Sequence, residues 1–500
     1  MPDANPYRTP DSLASAAPPT DWWSRPAGGR EVLAVAVPLV VSSLSWTVMT
    51  FVDRMMLFRD STDSMTAAFQ AGTLWFTVLC FPLGVCTYAS TFVSQYHGAG
   101  QPRQIGPVTW QAVWLALAFT PLGLLGIPLA EPLFAFLDHP PGVQAREVEY
   151  FRVLCWGIPG MLISVALSGF YSGRGRTGVV MVVDALFALL NVVLDYLWIF
   201  GAAVPWLGLS IPAGGVEGAA WATVVSLSIK AVAYAWLVLR PTHRREFASL
   251  SGMTFSPTLF RRMLRFGGSN GLQMVLEVTG FFVFIALVGR LGAVESAATS
   301  IAFNISSLAF MPVWGLSLAT SILVGQHLGE DRDDLAGRAT WTTYGLGLLY
   351  MCVISLLYLF APQLFLVGFF GGGESSAAGS ADAARSAEVY ALAVVLLRFV
   401  AAYNLLDASL MIFAGAIKGA GDMRFVLAVS LVMAVLLGGA SWLAVERLEL
   451  GVFGCWTVVS LWIAISAVLF FLRFLQGKWR AMRVIETPPP ANPAAGPAPA

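Results

Sequence analysis

Charge is scarce in this 500-residue chain: Asp, Glu, Lys and Arg together make up 12% of it, against 57% hydrophobic residues, and the mean hydropathy is +0.72. So little charge cannot cover a soluble surface of this size, and the composition predicts a polytopic membrane protein. The 29 basic and 29 acidic residues cancel, which leaves no one-signed field to draw a nucleic acid. Lysine is rarer still. None of the three, Lys230, Lys418 and Lys478, sits between a Gly-x4-Gly and a Ser or Thr, so the phosphate-cradling loop of an ATP-driven machine is absent. There is no His-Glu-x-x-His and no Gly-x-Ser-x-Gly nucleophile elbow, the one such spelling (Gly267 to Gly271) falling inside an apolar run, and His97, His139, His243 and His327 fall in loops or at the ends of apolar runs. An enzyme is therefore a poor fit, and no resident cofactor or metal is expected. Cys80, Cys86, Cys155, Cys352 and Cys455 all lie in apolar runs. They read as small buried hydrophobes rather than as disulfides or metal ligands.

Apolar runs of about 20 residues are what the chain does have, and each is long enough to cross a bilayer. Twelve qualify: 31–58, 66–95, 107–134, 148–170, 177–201, 215–239, 263–289, 297–325, 340–368, 387–416, 424–445 and 451–475. Of the 29 Lys and Arg, 20 fall on the side of the N-terminus, 7 on the other, and Lys230 and Arg398 lie within spans. The excess puts both termini in the cytoplasm of a plasma (inner) membrane protein. Residues 1–29 show no signal-peptide core and read as a disordered N-terminus, and 485–500 form a disordered Pro/Ala tail. The expected organisation is a six-helix lobe over 30–240, a cytoplasmic linker over 241–262 and a second six-helix lobe over 263–476.

The halves echo each other. "VSQYHG" (Val93 to Gly98) and "VGQHLG" (Val324 to Gly329) are 231 residues apart, the offset that also carries Trp110 onto Trp341. "GRG" from Gly173 matches "GAG" from Gly419, and "GVEG" from Gly215 matches "GVFG" from Gly451. Six spans per repeat is an even number, so both halves share one orientation: a parallel repeat about an axis along the membrane normal, as in many transporters.

Carboxylates inside apolar runs need a reason, because one at the centre of a span costs about 2.5–3.5 kcal/mol to insert. Asp53, Asp195, Glu277 and Asp407 are such residues, with Asn191 one turn before Asp195 and Tyr403 one turn before Asp407. Asp184, Asn191 and Asp195, spaced by seven and four, form one polar stripe on an otherwise apolar helix, which must face protein or a wet cavity. Other readings stay open at some positions: Asp53 as an interfacial charge beside Arg54, Asp184 as a headgroup contact, Glu277 as a structural partner of Arg398, and Lys230 as a snorkelling side chain. The buried carboxylates can carry a proton, and Asn, Asp and carbonyl oxygens together can hold Na⁺.

Taken in order along residues 30 to 476, "FVD" in the first span, "VSQYHGAGQ", "YSGRGRT", "NVVLDYLWIFGA", "GVEGAAWATVVS", "QMVLEVTGF", "VGQHLGED" and "YNLLDASLMIFAGAIKGAGDMR" resemble the multidrug and toxic compound extrusion (MATE) family. The resemblance implies an all-α membrane protein of twelve transmembrane helices in two lobes around a central cavity. It implies export of drug-like, often cationic small molecules by alternating access, by a monomer, in exchange for H⁺ or Na⁺. In members resembling the DinF branch the amino-terminal lobe binds the proton through residues matching Asp53, Asn191 and Asp195. In NorM-like members the carboxy-terminal lobe binds Na⁺ through residues matching Glu277, Tyr403 and Asp407. This chain carries both sets. It departs from the family in "VDRMMLFRD", where a Gly usually follows the first-span Asp, and Arg54 is placed to pair with Asp53. A flippase for a lipid-linked precursor is the alternative within the superfamily, although it calls for more basic residues within the spans than two. A membrane-embedded enzyme or scaffold has no positive feature in its favour.

Overall fold

A computed structural model describes residues 21–136, 139–204, 209–370 and 381–486. Most of both tails, and 371–380 of the Gly/Ser-rich 371–385 stretch, lie outside them. In lipid every backbone N–H and C=O must be satisfied within its own segment, and the apolar runs accordingly become helices. The first half comprises α1 (Gly29–Asp60), α2 (Thr62–Thr87), α3 (Ala89–Gly98), α4 (Pro102–Leu124), α5 (Gly126–Phe136), α6 (Pro141–Trp156), α7 (Ile158–Ser172), α8 (Thr177–Phe200) and α9 (Gly215–Val238). A short α10 (Pro241–Glu246) leads to α11 (Pro257–Gly289), α12 (Ala293–Gly329), α13 (Asp333–Phe360), α14 (Gln363–Phe370), α15 (Ala381–Ala420), α16 (Met423–Glu446) and α17 (Gly451–Leu475).

Among the described residues eleven helical stretches are long and apolar enough to span a membrane, α2 and α3 forming one of them, and α6 with α7 makes a twelfth, bent by 43°. The bend falls at Gly157 and Pro159, where proline has no N–H to continue the ladder. The twelve expected runs are these twelve spans. One element lies outside the all-helical expectation: β1 (Ala202–Val204) pairs antiparallel with β2 (Leu209–Ile211), Ala202 opposite Ile211, between α8 and α9. Four of the five cysteines are buried as expected, but Cys352 is exposed on α13.

Small residues let the halves approach. A Cβ on Gly84 of α2 would stand 2.6 Å from the Cα of Gly271 on α11, and one on Gly315 of α12 3.0 Å from the backbone N of Val40 on α1. Among the described residues, hydrogen bonds between the halves cluster at the end that carries both chain termini. They include Tyr88 to the Lys418 carbonyl (2.9 Å), Asn270 to the Gly84 carbonyl (2.7 Å) and Thr342 to the Ala27 carbonyl (2.9 Å). The core is continuous there, joining Phe92, Val93 and Phe170 of the first half to Val324, Phe413 and Phe474 of the second. At the opposite end the second half keeps its own core around Phe284, Tyr358 and Trp456.

Replacing Gly84 by Ala should push α2 off α11 and cost about 1–3 kcal/mol, as overpacking does. Gly72→Ala, where nothing lies within 4 Å of the added carbon, should cost nothing measurable. The thermal midpoints of the two purified variants make the comparison.

Candidate functional site

The polar stripe of α8 turns inward against α1 and α9. Asn191 (1% exposed) and Asp195 (0%) are buried there, and Asp53 of α1 is buried opposite them. Tyr150 of α6 donates to Oδ2 of Asp53 at 3.4 Å, and Asn191 Nδ2 donates to Thr223 Oγ1 of α9 at 3.5 Å. Asp53 lies close enough to Asp195 for their charges to interact. Arg54 forms no ion pair with Asp53; its guanidinium instead lies over the Phe69 ring, 4.8 Å from the centroid.

Four acceptor atoms of this cluster have no donor: Asp53 Oδ1, Asn191 Oδ1 and both carboxylate oxygens of Asp195. A buried acceptor without a partner costs about 1–3 kcal/mol, and two carboxylates in one desolvated place repel each other. A proton shared between them, or a small cation held by carboxylate, amide and hydroxyl oxygens, removes both penalties. Among the described residues no group of three or more His, Cys, Asp or Glu side chains is arranged to hold a metal ion. Any cation here would therefore need Asn191 and a hydroxyl in its shell.

Below the cluster a small cavity of about 40 Å³ opens between α1, α8 and α9, its lining including Ser42, Trp46, Asp184, Asn191, Thr223 and Lys230. Two sequence readings need correcting here. Lys230 does not snorkel and Asp184 is not a headgroup contact: Lys230 Nζ sits 2.8 Å from Asp184 Oδ1. Ser42 and Tyr234 (3.0 Å) donate to the same carboxylate. Pairing inside the half satisfies the lysine where it is, so it need not reach the interface. Asp184→Ala should strand Lys230 in a largely buried setting and cost about 3 kcal/mol, whereas Asp184→Ala with Lys230→Met should recover most of that. A double-mutant cycle on thermal stability measures the difference.

The second candidate set is not drawn together. Glu277 on α11 is exposed and accepts from Gln273 Nε2 at 2.7 Å. Tyr403 is buried on α15 and bonds Ser306, one turn from Asp407. Among the described residues no hydrogen bond or ion pair joins Glu277 to Tyr403 or Asp407, and Arg398 is exposed and forms no ion pair with Glu277. Lys418 lies close enough to Glu277 for their charges to interact.

Tyr150 and Thr223 belong to the first cluster but were missed in the sequence. A tyrosine in "EVEYFRV" and a threonine in "AWATVV" carry no local mark; only the packing of α6 on α2 and α9, and of α9 on α8, brings them to the carboxylates.

Comparison with known proteins gives the same picture on a larger scale. The family model MatE matches residues 38–197 and 271–439, one stretch in each half. The chain is 28% identical over 457 residues to "Probable multidrug resistance protein NorM" of Pseudomonas syringae pv. tomato, covering 91% of this chain and 95% of that protein. It is 27% identical over 451 residues to "Multidrug resistance protein MdtK" of Yersinia pestis, covering 89% and 94%. Among solved structures, an outward-facing conformation of a multidrug resistance MATE family transporter of the MOP superfamily superposes with a TM-score of 0.77 at 20% identity, over 92% of this chain and 97% of that one. A MOP superfamily transporter from Pyrococcus furiosus superposes with a TM-score of 0.75 at 20% identity, over 90% and 96%. At such identities the superpositions establish the fold, two lobes of six helices.

Proposed function

The chain belongs to the MatE family of transporters, and from that premise we propose that it exports drug-like organic cations in exchange for protons taken up at Asp53, Asn191 and Asp195. The observation that carries this reading is the set of four donorless oxygens in the first-half cluster. Buried groups that are destabilised when empty of a proton are suited to take one up in one conformation and release it in the other as a cationic ligand moves. The related proteins from Pseudomonas and Yersinia are named for multidrug resistance, which supports the substrate class.

The protein works as a monomer in the plasma membrane, with the terminus-bearing end in the cytoplasm. The Lys and Arg excess on that side supports the orientation. The clasp between the halves then closes the cytoplasmic face, and the opposite end is the one left to open outward. Opening that face and closing the other is the alternating-access step.

The test is dye movement in proteoliposomes under an imposed pH gradient or an imposed Na⁺ gradient, at fixed membrane potential. Export driven by the pH gradient alone supports the first-half site. Export driven by Na⁺ alone transfers the coupling role to Glu277, Tyr403 and Asp407. No movement under either gradient removes drug antiport.

A further inference from the structure

The repeated Gln-x-x-Gly of "VSQYHG" and "VGQHLG" ends α3 and the corresponding stretch of α12, and coupling-ion binding does not account for it. Gln95 Nε2 donates to the carbonyl of Gly419 at 2.9 Å, and Gln326 Nε2 donates to the carbonyl of Gly173 at 2.8 Å. Each glutamine thus reaches into the other half. The two acceptors are themselves the first glycines of the repeated "GAG" and "GRG".

The glycines of the motif repeat the relation. A Cβ on Gly98 would collide with the carbonyl oxygen of Gln326, and a Cβ on Gly329 with that of Gln95. The contact is therefore reciprocal about the pseudo-twofold axis, backbone against backbone, and possible in only one relative position of the halves.

A third element lies across it on one side only. After α17, Trp479 is buried and stacks on Phe474 at 5.0 Å, anchoring the segment 478–486. Val484 (1% exposed) donates its N–H to Gln95 Oε1 at 2.8 Å, and its carbonyl accepts from Arg262 Nε at 2.7 Å. Arg480 reaches Asp333 at the start of α13, and Arg483 reaches Asp331 between α12 and α13, both at 3.1 Å. Gln95 is fully buried with its amide engaged at both ends, by the second half through Nε2 and by the strap through Oε1.

We propose that the paired Gln-x-x-Gly contacts, with segment 478–486 strapped over Gln95, form the latch that holds this end of the transporter closed, and that their release opens it. Directional bonds and a backbone contact that must be made together or not at all give two discrete arrangements rather than a continuum. The strap makes the two sides unequal: Gln95 holds both the other half and the strap, so its loss releases more than the loss of Gln326. The inference rests on the alternating-access reading above.

The test is the distance between spin labels at Arg103→Cys and Asp334→Cys, both exposed at this end of α4 and α13. Cys352→Ser removes the exposed native thiol, leaving four buried ones. The long-distance population should rise several-fold in Gln95→Leu and by less in Gln326→Leu. Gly98→Ala, which deletes no hydrogen bond, should also raise it. Distributions unchanged from the parent in both Gln95→Leu and Gly98→Ala overturn the latch. A parent protein that keeps one distance with and without a cationic dye, at pH 5 and pH 8, counts against alternating access instead. Long distances in the variants would still support the latch in that case.

Discussion

Asp195→Asn is expected to abolish gradient-driven dye export and, at the same time, to make the protein more stable. The two effects have one cause. Both oxygens of the Asp195 carboxylate are buried without a donor, beside the equally underfilled Asp53 Oδ1, so the native residue is held in place at a cost. An amide of the same shape carries no charge to desolvate and brings two N–H donors to the Asp53 and Asn191 oxygens. Relief of an orphaned buried acceptor is worth about 1–3 kcal/mol, which a thermal melt of purified protein resolves. The amide cannot take up a proton, so antiport should fall to background. A variant that loses transport and stability together would instead have a structural Asp195.

A cross-link across the closed end should stop transport just as completely, and reversibly. A Cβ built on Gly325 of α12 stands 3.1 Å from the Cβ of Ser94 on α3. That is slightly inside the ~3.5–4.5 Å that a disulfide spans. A shift of a few tenths of an ångström lets Ser94→Cys and Gly325→Cys bond under oxidation. The halves could not then separate at this end, and dye export should drop to background until a reductant restores it. Substantial export through the oxidised, fully cross-linked protein would mean that the end need not open. The Cys352→Ser background keeps the reading clean, since Cys352 is the exposed native thiol.

How far the sequence carries depends on whether a feature is local. The twelve spans were legible because lipid demands long apolar runs, and even the bend between α6 and α7 is marked by Gly157 and Pro159. The internal repeat was legible, and its motif turned out to sit at the contact between the halves. Asp53, Asn191 and Asp195 were legible because carboxylates and amides in apolar helices stand out, and the structure brings these three to one place. Partners supplied by other helices were not. Tyr150 and Thr223 reach the cluster only through the packing of α6 and α9, and Lys230 finds Asp184 only because α8 and α9 lie side by side at one rotation. The second set shows the reverse. Tyr403 and Asp407 stack one turn apart as the spacing requires, while Glu277, on a helix of its own, stands apart from them with Gln273. The short hairpin of β1 and β2 gave no period to read, being two three-residue strands either side of Pro205.

The central claim is that a proton and a cationic substrate compete through the first-half cluster. The most direct measurement is the proton released when a cationic dye is added to purified protein in weakly buffered solution, followed with a pH indicator. The account predicts proton release that saturates with dye binding in the parent protein and is absent in Asp195→Asn. Dye binding without proton release in the parent, or the same release in Asp195→Asn, would contradict it.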